Sequence, residues 1–129
     1  MHKYDHRMHV GNAGDVWKHF LLLEVADFLL SPDSKLVYAE SHIGRPLYNL
    51  QAHGEWKGGI GKLWPILPRL MDFCYFDILA DLNPHGLKDY PGSVRLMWEL
   101  SRKKRTKLNV EGWDNDENVQ TAWSDCPKN

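Results

Sequence analysis

The stretch VWKHFLLLEVADFLL, Val16 to Leu30, limits the fold more than any other part of the sequence. Val16, Phe20, Leu23 and Leu30 recur at helical spacing, and Leu21, Leu22, Val25, Ala26, Phe28 and Leu29 make the helix apolar nearly all round. Such a helix is expected to bury itself against more than one neighbour. Its start is expected near Gly11–Asp15, where Asn12 or Asp15 can accept hydrogen bonds from the free N–H groups. Ser31-Pro32-Asp33 ends it, because proline cannot continue a helix.

The run HVGNAGDVWKHF, His9 to Phe20, places a polar cluster at the start of that helix. A helix N-terminus carries unpaired N–H groups and a partial positive charge, both suited to an anionic group. Gly11 and Gly14 let backbone approach a ligand, and Lys18 and His19 add donors one turn in. The same residues also suit a plain capped helix with surface histidines. A zinc site on His6 and His9 lacks the nearby Cys pair or H-E-x-x-H that would complete four ligands.

KLVYAE, Lys35 to Glu40, reads as a strand, and SHIGRP after it as a loop. A strand ending in an acid, followed by a glycine-bearing loop, is shared with nucleotide-type cofactor sites, and open α/β sheets place ligands at such carboxyl ends. An ordinary turn after a strand has the same composition. Leu47 to His53 fits either helix or strand. GEWKGGIGKLWPIL has Trp56, Ile60, Leu63, Trp64 and Leu67 at helical spacing, interrupted by Pro65 and weakened by its glycines. RLMDFCYFDILADL is read as helix, with Phe73–Phe76 also compatible with strand. Asn83 to Gly86 and Tyr90 to Ser93 are turns, and Ser93 is expected to cap a helix from Val94 to Arg102. Thr106 to Glu111 reads as a second strand, whose final acid could meet ribose hydroxyls or simply face solvent. The basic run Arg102 to Arg105 could grip phosphates, or form the solvated end of its helix. Met1 to Val10 is expected to be an extended arm. The acidic tail, about 112–129, is expected to form a short helix from Asp116 and then disorder.

The chain has 129 residues, enough for one domain, with 43% hydrophobic and 26% charged residues. Its net charge of −1 gives no global field toward nucleic acid or an anionic membrane, so a basic face would have to be local. Cys74 and Cys126 form no C-x-x-C motif and are expected to be free thiols in a reducing cytoplasm. No apolar run approaches the roughly 20 residues that span a bilayer. The N-terminus lacks the apolar core of a signal peptide. A cytoplasmic protein without membrane contact is expected. Two strands alone are marginal, so the chain reads as the front of a larger α/β domain or as one that pairs with another chain.

In order, these motifs resemble one family closely. Tyr4, His6, His9, Gly11, Asn12, Asp15, Val16, Lys18 and His19 match, without departure, the N-terminal signature of the bacterial RlmJ-type 23S ribosomal RNA adenine-N6 methyltransferases. Glu40 to Tyr48 resembles the block D-T-H-A-G-x-G-x-Y. Gly54-Glu55-Trp56 and Gly59-Ile60 through Trp64 resemble a further block, and Tyr90 to Ser93 matches Y-P-G-S. The resemblance covers about residues 4 to 111. It implies an incomplete Rossmann-like, S-adenosylmethionine-dependent methyltransferase fold of the α/β class, with a helical insertion after the first strand at about 49–89. By carry-over, His19, His42, Ser93 and Glu111 would bind S-adenosylmethionine, while Tyr4 and Lys18 would face the 23S rRNA substrate. Pro46 stands where the family has its loop's second glycine, and proline has no N–H and a fixed φ. The family's catalytic D/N-P-P-Y/F motif does not occur in this sequence. The expectation is a truncated or degenerate methyltransferase, weakly active or inactive alone, as a homodimer or with a separate C-terminal half. The rival readings are a non-catalytic RNA-binding module and a small dimeric assembly protein.

Overall fold

The computed structural model describes residues 6–124. Tyr4, Cys126 and the outer ends of the arm and tail lie outside them. The order of elements is a long helix α1 (Ala13–Leu29), strand β1 (Lys35–Glu40), short strand β2 (Leu47–Asn49), short helix α2 (Ile60–Leu63), helix α3 (Cys74–Leu82), strand β3 (Asp89–Pro91), helix α4 (Ser93–Lys104), strand β4 (Lys107–Gly112) and helix α5 (Glu117–Ser124). β1 and β4 pair in parallel, from Lys35 opposite Lys107 to Glu40 opposite Gly112. β2 and β3 form a second, antiparallel pair. The protein is a mixed α/β fold with a small parallel sheet.

α1 starts where Asn12 Oδ1 accepts from the N–H of Asp15 at 2.9 Å, while the Asp15 carboxylate accepts from the N–H of Gly11 at 3.0 Å. These two bonds satisfy donors on both sides of the first turn. The helix does not bury itself all round. Asp15, His19, Leu23 and Ala26 are buried, at spacings that keep to one stripe. Trp17, Leu21, Val25 and Phe28 form an exposed apolar stripe, with Phe28 87% exposed. α1 thus packs against two neighbours, α3 and α4, as expected, but leaves this stripe uncovered among the described residues.

The core lies between α1, α3, α4 and one face of the parallel pair. Leu23, Ile60, Tyr75, Ile78, Leu79, Tyr90, Leu96, Met97 and Leu100 are buried there, and Leu36, Tyr38 and Leu108 pack against them from the strands. On the other face of the sheet, Val37, Ala39, Asn109 and Glu111 are exposed. Gly59 joins the middle segment to the start of α1. A Cβ there would lie 2.3 Å from the carbonyl oxygen of Gly11, so only glycine allows this approach, and the next N–H, of Ile60, donates to that oxygen at 3.0 Å.

Several expectations are corrected. Met1–Val10 is not an extended arm throughout, because His6–Met8 form a turn of 3₁₀ helix whose carbonyl at His6 receives the N–H groups of His9 and Val10. Tyr90 and Pro91 belong to a strand, not to a turn. Leu47–Asn49 is its partner, and three-residue strands leave too short a pattern to read. The helix expected through Trp56–Leu67 is broken into a 3₁₀ turn, α2 and a second 3₁₀ segment holding Pro65 and Pro68. Phe73–Phe76 is not strand, since α3 begins at Cys74. Ser93 is not the cap of α4. Gly92 occupies the cap position, and the Ser93 hydroxyl turns elsewhere. In the basic run, Lys103 bonds to Asp77 and Asp81 of α3 and Lys104 pairs with Asp27 of α1, which ties α4 to its neighbours, while Arg102 pairs with Glu99 within α4 and Arg105 is exposed.

Asn83 fixes the link from α3 to β3. Its amide donates to the carbonyls of Leu79 and Asp89, and its oxygen accepts from the N–H groups of Lys88 and Asp89, all at 2.8–2.9 Å. Asn83→Ala leaves these buried groups without partners and is expected to cost about 3 kcal/mol. Urea denaturation checks this, with the exposed Asn49→Ala expected to change little.

Candidate functional site

A parallel strand pair presents its carboxyl ends and following loops on one side, beside the starts of the packed helices. Here that side holds a cavity of about 580 Å³. It lies within the size range of small-molecule sites. β1 supplies Glu40, which side-chain alternation puts on the covered face with Leu36 and Tyr38. Glu40 Oε2 accepts from Ser93 Oγ at 2.5 Å and from the Tyr38 hydroxyl at 2.9 Å. Burial pushes the Tyr38 phenol up to about 12, so it stays a donor. Oε1 has no partner among the described residues and remains for a ligand.

The loop after β1 is held by its own backbone. The N–H of Arg45 donates to the Tyr48 hydroxyl at 2.8 Å, and the N–H of Gly44 to Asp114 at 3.1 Å. The carbonyl of Gly44 accepts from the Trp123 indole at 2.7 Å, and that of Pro46 from the N–H of Gly92 at 3.0 Å. Gly44 takes φ +62°, and a Cβ there would sit 2.5 Å from the Tyr48 hydroxyl. The N–H groups of residues 44 and 45 are thus engaged by protein, and residue 46 has none. Recognition by this part of the loop falls to side chains.

α1 contributes Lys18 and His19. The His19 Nδ1 lies 2.8 Å from the Tyr90 hydroxyl, which lies 2.8 Å from that of Tyr75. Burial lowers the His19 pKa to about 4, with Lys18 and His6 acting in the same direction and Asp15 opposing. The imidazole is neutral at pH 7. Lys18 is exposed, 3.6 Å from Asp15.

The structure brings Lys18, His19, His42 and Ser93 to one cavity wall. His42 is exposed there, with its Nδ1 3.1 Å from the Ser41 hydroxyl. Glu111 is not brought in. It sits on the open face near the end of β4, outside the wall. Tyr4 lies outside the described residues. His6 and His9 part company: the His6 ring packs edge-on against Tyr48, and His9 pairs with Glu55. Sequence reasoning assigned no role to Arg45, Asp114 or Asp116, which also line the cavity. Arg45 carried only its place after Gly44 as a signal, and the two acids, read as tail, carried none.

The wall mixes both signs: Arg7, Lys18 and Arg45 against Glu40, Asp114 and Asp116. That mixture of donors and acceptors suits a zwitterionic ligand such as an amino-acid group.

A family model described as ribosomal RNA large subunit methyltransferase D, RlmJ, matches residues 33–125. A protein of Haemophilus influenzae named ribosomal RNA large subunit methyltransferase J is 33% identical over 119 residues, taking in 86% of this chain and 42% of the relative. A protein of the same name from Escherichia coli K12 is 32% identical over 112 residues, 81% of this chain and 40% of its own length. The crystal structure of a Legionella pneumophila protein superposes with a TM-score of 0.77 at 28% identity, over 92% of this chain and 45% of that one. The chain thus spans about two fifths of the length of the curated relatives it matches.

A buried histidine with a depressed pKa makes stability depend on pH. Between about pH 6.5 and pH 4 the unfolded chain binds a proton that the folded chain refuses, so stability falls as pH falls through that window. The loss is expected to reach roughly 3 kcal/mol at the acid end. Urea unfolding at both ends of the window, for the native chain and His19→Gln, checks this: the variant is expected to lose that part of the slope.

Proposed function

The chain belongs to the family described as ribosomal RNA large subunit methyltransferase D, RlmJ, and from that premise we propose that its cavity binds S-adenosylmethionine, in the service of methyl transfer to N6 of an adenine in 23S rRNA. The observation that carries this reading is the Glu40–Ser93–Tyr38 cluster, which fixes one carboxylate oxygen inside the fold and leaves the other for a ligand. The cofactor, when bound, supplies an electrophilic methyl on a sulfonium.

The chain's own residues hold and orient. Glu40 and Asp114 meet a ligand ammonium, while Arg45 and the neutral His19 meet a carboxylate. The Ser93 hydroxyl, held by Glu40, keeps the start of α4 against the end of β1. His42 lies on the exposed side of the wall, where a ligand enters. α5 and the segment before it border another side, through Val119, the Trp123 indole that donates to the Gly44 carbonyl, and Asp114, which accepts from the Gly44 N–H. Glu111 as a ribose partner and Tyr4 and Lys18 as RNA contacts rest on family likeness alone. Lys18, exposed beside the cavity, is suited to a phosphate. The D/N-P-P-Y/F motif, through which the family engages the target amine, is not in this sequence. The chain alone is therefore proposed to bind cofactor with little or no turnover. Its rRNA substrate makes the cytoplasm the proposed place of action.

Isothermal titration calorimetry with S-adenosylmethionine tests the reading. The chain is expected to take up one equivalent, and Glu40→Gln to weaken binding about tenfold, a loss near 1.4 kcal/mol. No uptake by the native chain would contradict it, and RNA binding that persists without uptake would favour a non-catalytic RNA-binding module. Incubation with protein-free rRNA and cofactor is expected to give at most trace N6-methyladenine.

A further inference from the structure

His19, Tyr90 and Tyr75 come from α1, β3 and α3 and meet in the interior, where both tyrosines are fully buried. His19 Nδ1 and the two phenol oxygens form a line with 2.8 Å steps. The family signature includes His19 and Tyr90 but says nothing of how the imidazole is held. We propose that Tyr90, with Tyr75 behind it, is a positioning residue that fixes neutral His19 as the Nε2–H tautomer, so that the ring offers the cavity an uncharged N–H donor.

The direction of the line follows from counting protons. Each phenol has one. Burial raises the pKa of both well above the ordinary value for tyrosine, so both protons are present. The Tyr75 hydroxyl has one hydrogen-bonding neighbour among the described residues, the Tyr90 oxygen. If His19 donated from Nδ1 to Tyr90, the Tyr90 proton would turn to Tyr75, and the Tyr75 proton would be left in the core without an acceptor. A buried donor without an acceptor is strongly disfavoured. With Tyr75 donating to Tyr90 and Tyr90 donating to Nδ1, every proton has an acceptor. Nδ1 is then the acceptor of the ring, and the one proton of a neutral imidazole sits on Nε2.

Nε2 has no protein partner among the described residues, and no buried side-chain nitrogen or oxygen there lacks one. It therefore opens on the cavity that His19 lines. A neutral N–H selects an acceptor atom, such as a carboxylate oxygen. That last step rests on the cofactor reading above.

The protonation pattern is read directly by nuclear magnetic resonance of isotope-labelled histidine nitrogens in the free chain at neutral pH. The native protein is expected to show His19 with a protonated Nε2 and a bare Nδ1. Tyr90→Phe removes the donor and is expected to give a mixture of both tautomers. Tyr75→Phe disturbs the same core but leaves Tyr90 only Nδ1 to donate to, so the tautomer is expected to persist. A native spectrum with the proton on Nδ1, a pure Nε2–H form in Tyr90→Phe, or a switched tautomer in Tyr75→Phe would each overturn the proposal. The native spectrum alone decides if a variant does not fold. Because it needs no ligand, its outcome is separate from that of calorimetry with S-adenosylmethionine. In that titration Tyr90→Phe, whose ring carries the Nε2 proton only part of the time, is expected to bind about twofold more weakly.

Discussion

The carboxylate of Glu40 is the point on which the site depends. It ends β1 on the covered face, and one oxygen gathers the hydroxyls of Ser93 and Tyr38. A polar group drawn partly out of water is costly unless it is hydrogen-bonded, and these two hydroxyls supply the bonds. The bond to Ser93 joins the end of β1 to the first residue of α4, and α4 leads directly into β4, the parallel partner of β1. This bond ties the start of the crossover helix to the sheet at the cavity wall, while the backbone pairing of β1 with β4 sets the register.

Around that point the cavity is built from segments far apart in the chain. The start of α1 is set by Asn12 and Asp15 and braced by Gly59 against Gly11. β3 brings Tyr90 to His19. The segment after β4 brings Asp114 and Trp123 to the loop of Gly44. His19 and Glu40 sit in different surroundings: the imidazole loses its charge to burial, and the carboxylate accepts from two hydroxyls.

Much of this was legible in the sequence, for reasons that can be named. α1, β1, α4 and β4 each carry a long enough period or a strong enough β-rich run to be read alone. Asn12 announced the start of α1 by its type. What could not be read depends on pairing at a distance. β2 and β3 are three residues each, and only their mutual register makes them strands. Ser93 has the type of a helix cap, but α4 starts one residue earlier than the pattern shows, so Gly92 takes the cap position and the Ser93 hydroxyl donates to Glu40. Lys103 and Lys104 look like part of a free basic patch until Asp77, Asp81 and Asp27 come to meet them. The apolar girth of α1 suggested more than one neighbour, and α3 and α4 both pack on it, yet Trp17, Val25 and Phe28 stay exposed, as do Val37 and Ala39 on the open face of a parallel pair. Parallel sheets are ordinarily covered on both faces. In the site, His19, His42 and Ser93 were found through family likeness and meet at one cavity, whereas Asp114 and Asp116 were hidden in an acidic tail with no local pattern.

The central claim, that this cavity holds the cofactor against Glu40, is tested most directly by a crystal structure grown with S-adenosylmethionine. The account predicts the ligand between Glu40, His19 and Ser93, with its amino-acid end at the free oxygen of Glu40. A ligand bound elsewhere, for example in the apolar hollow between Phe20 and Phe73, would contradict it.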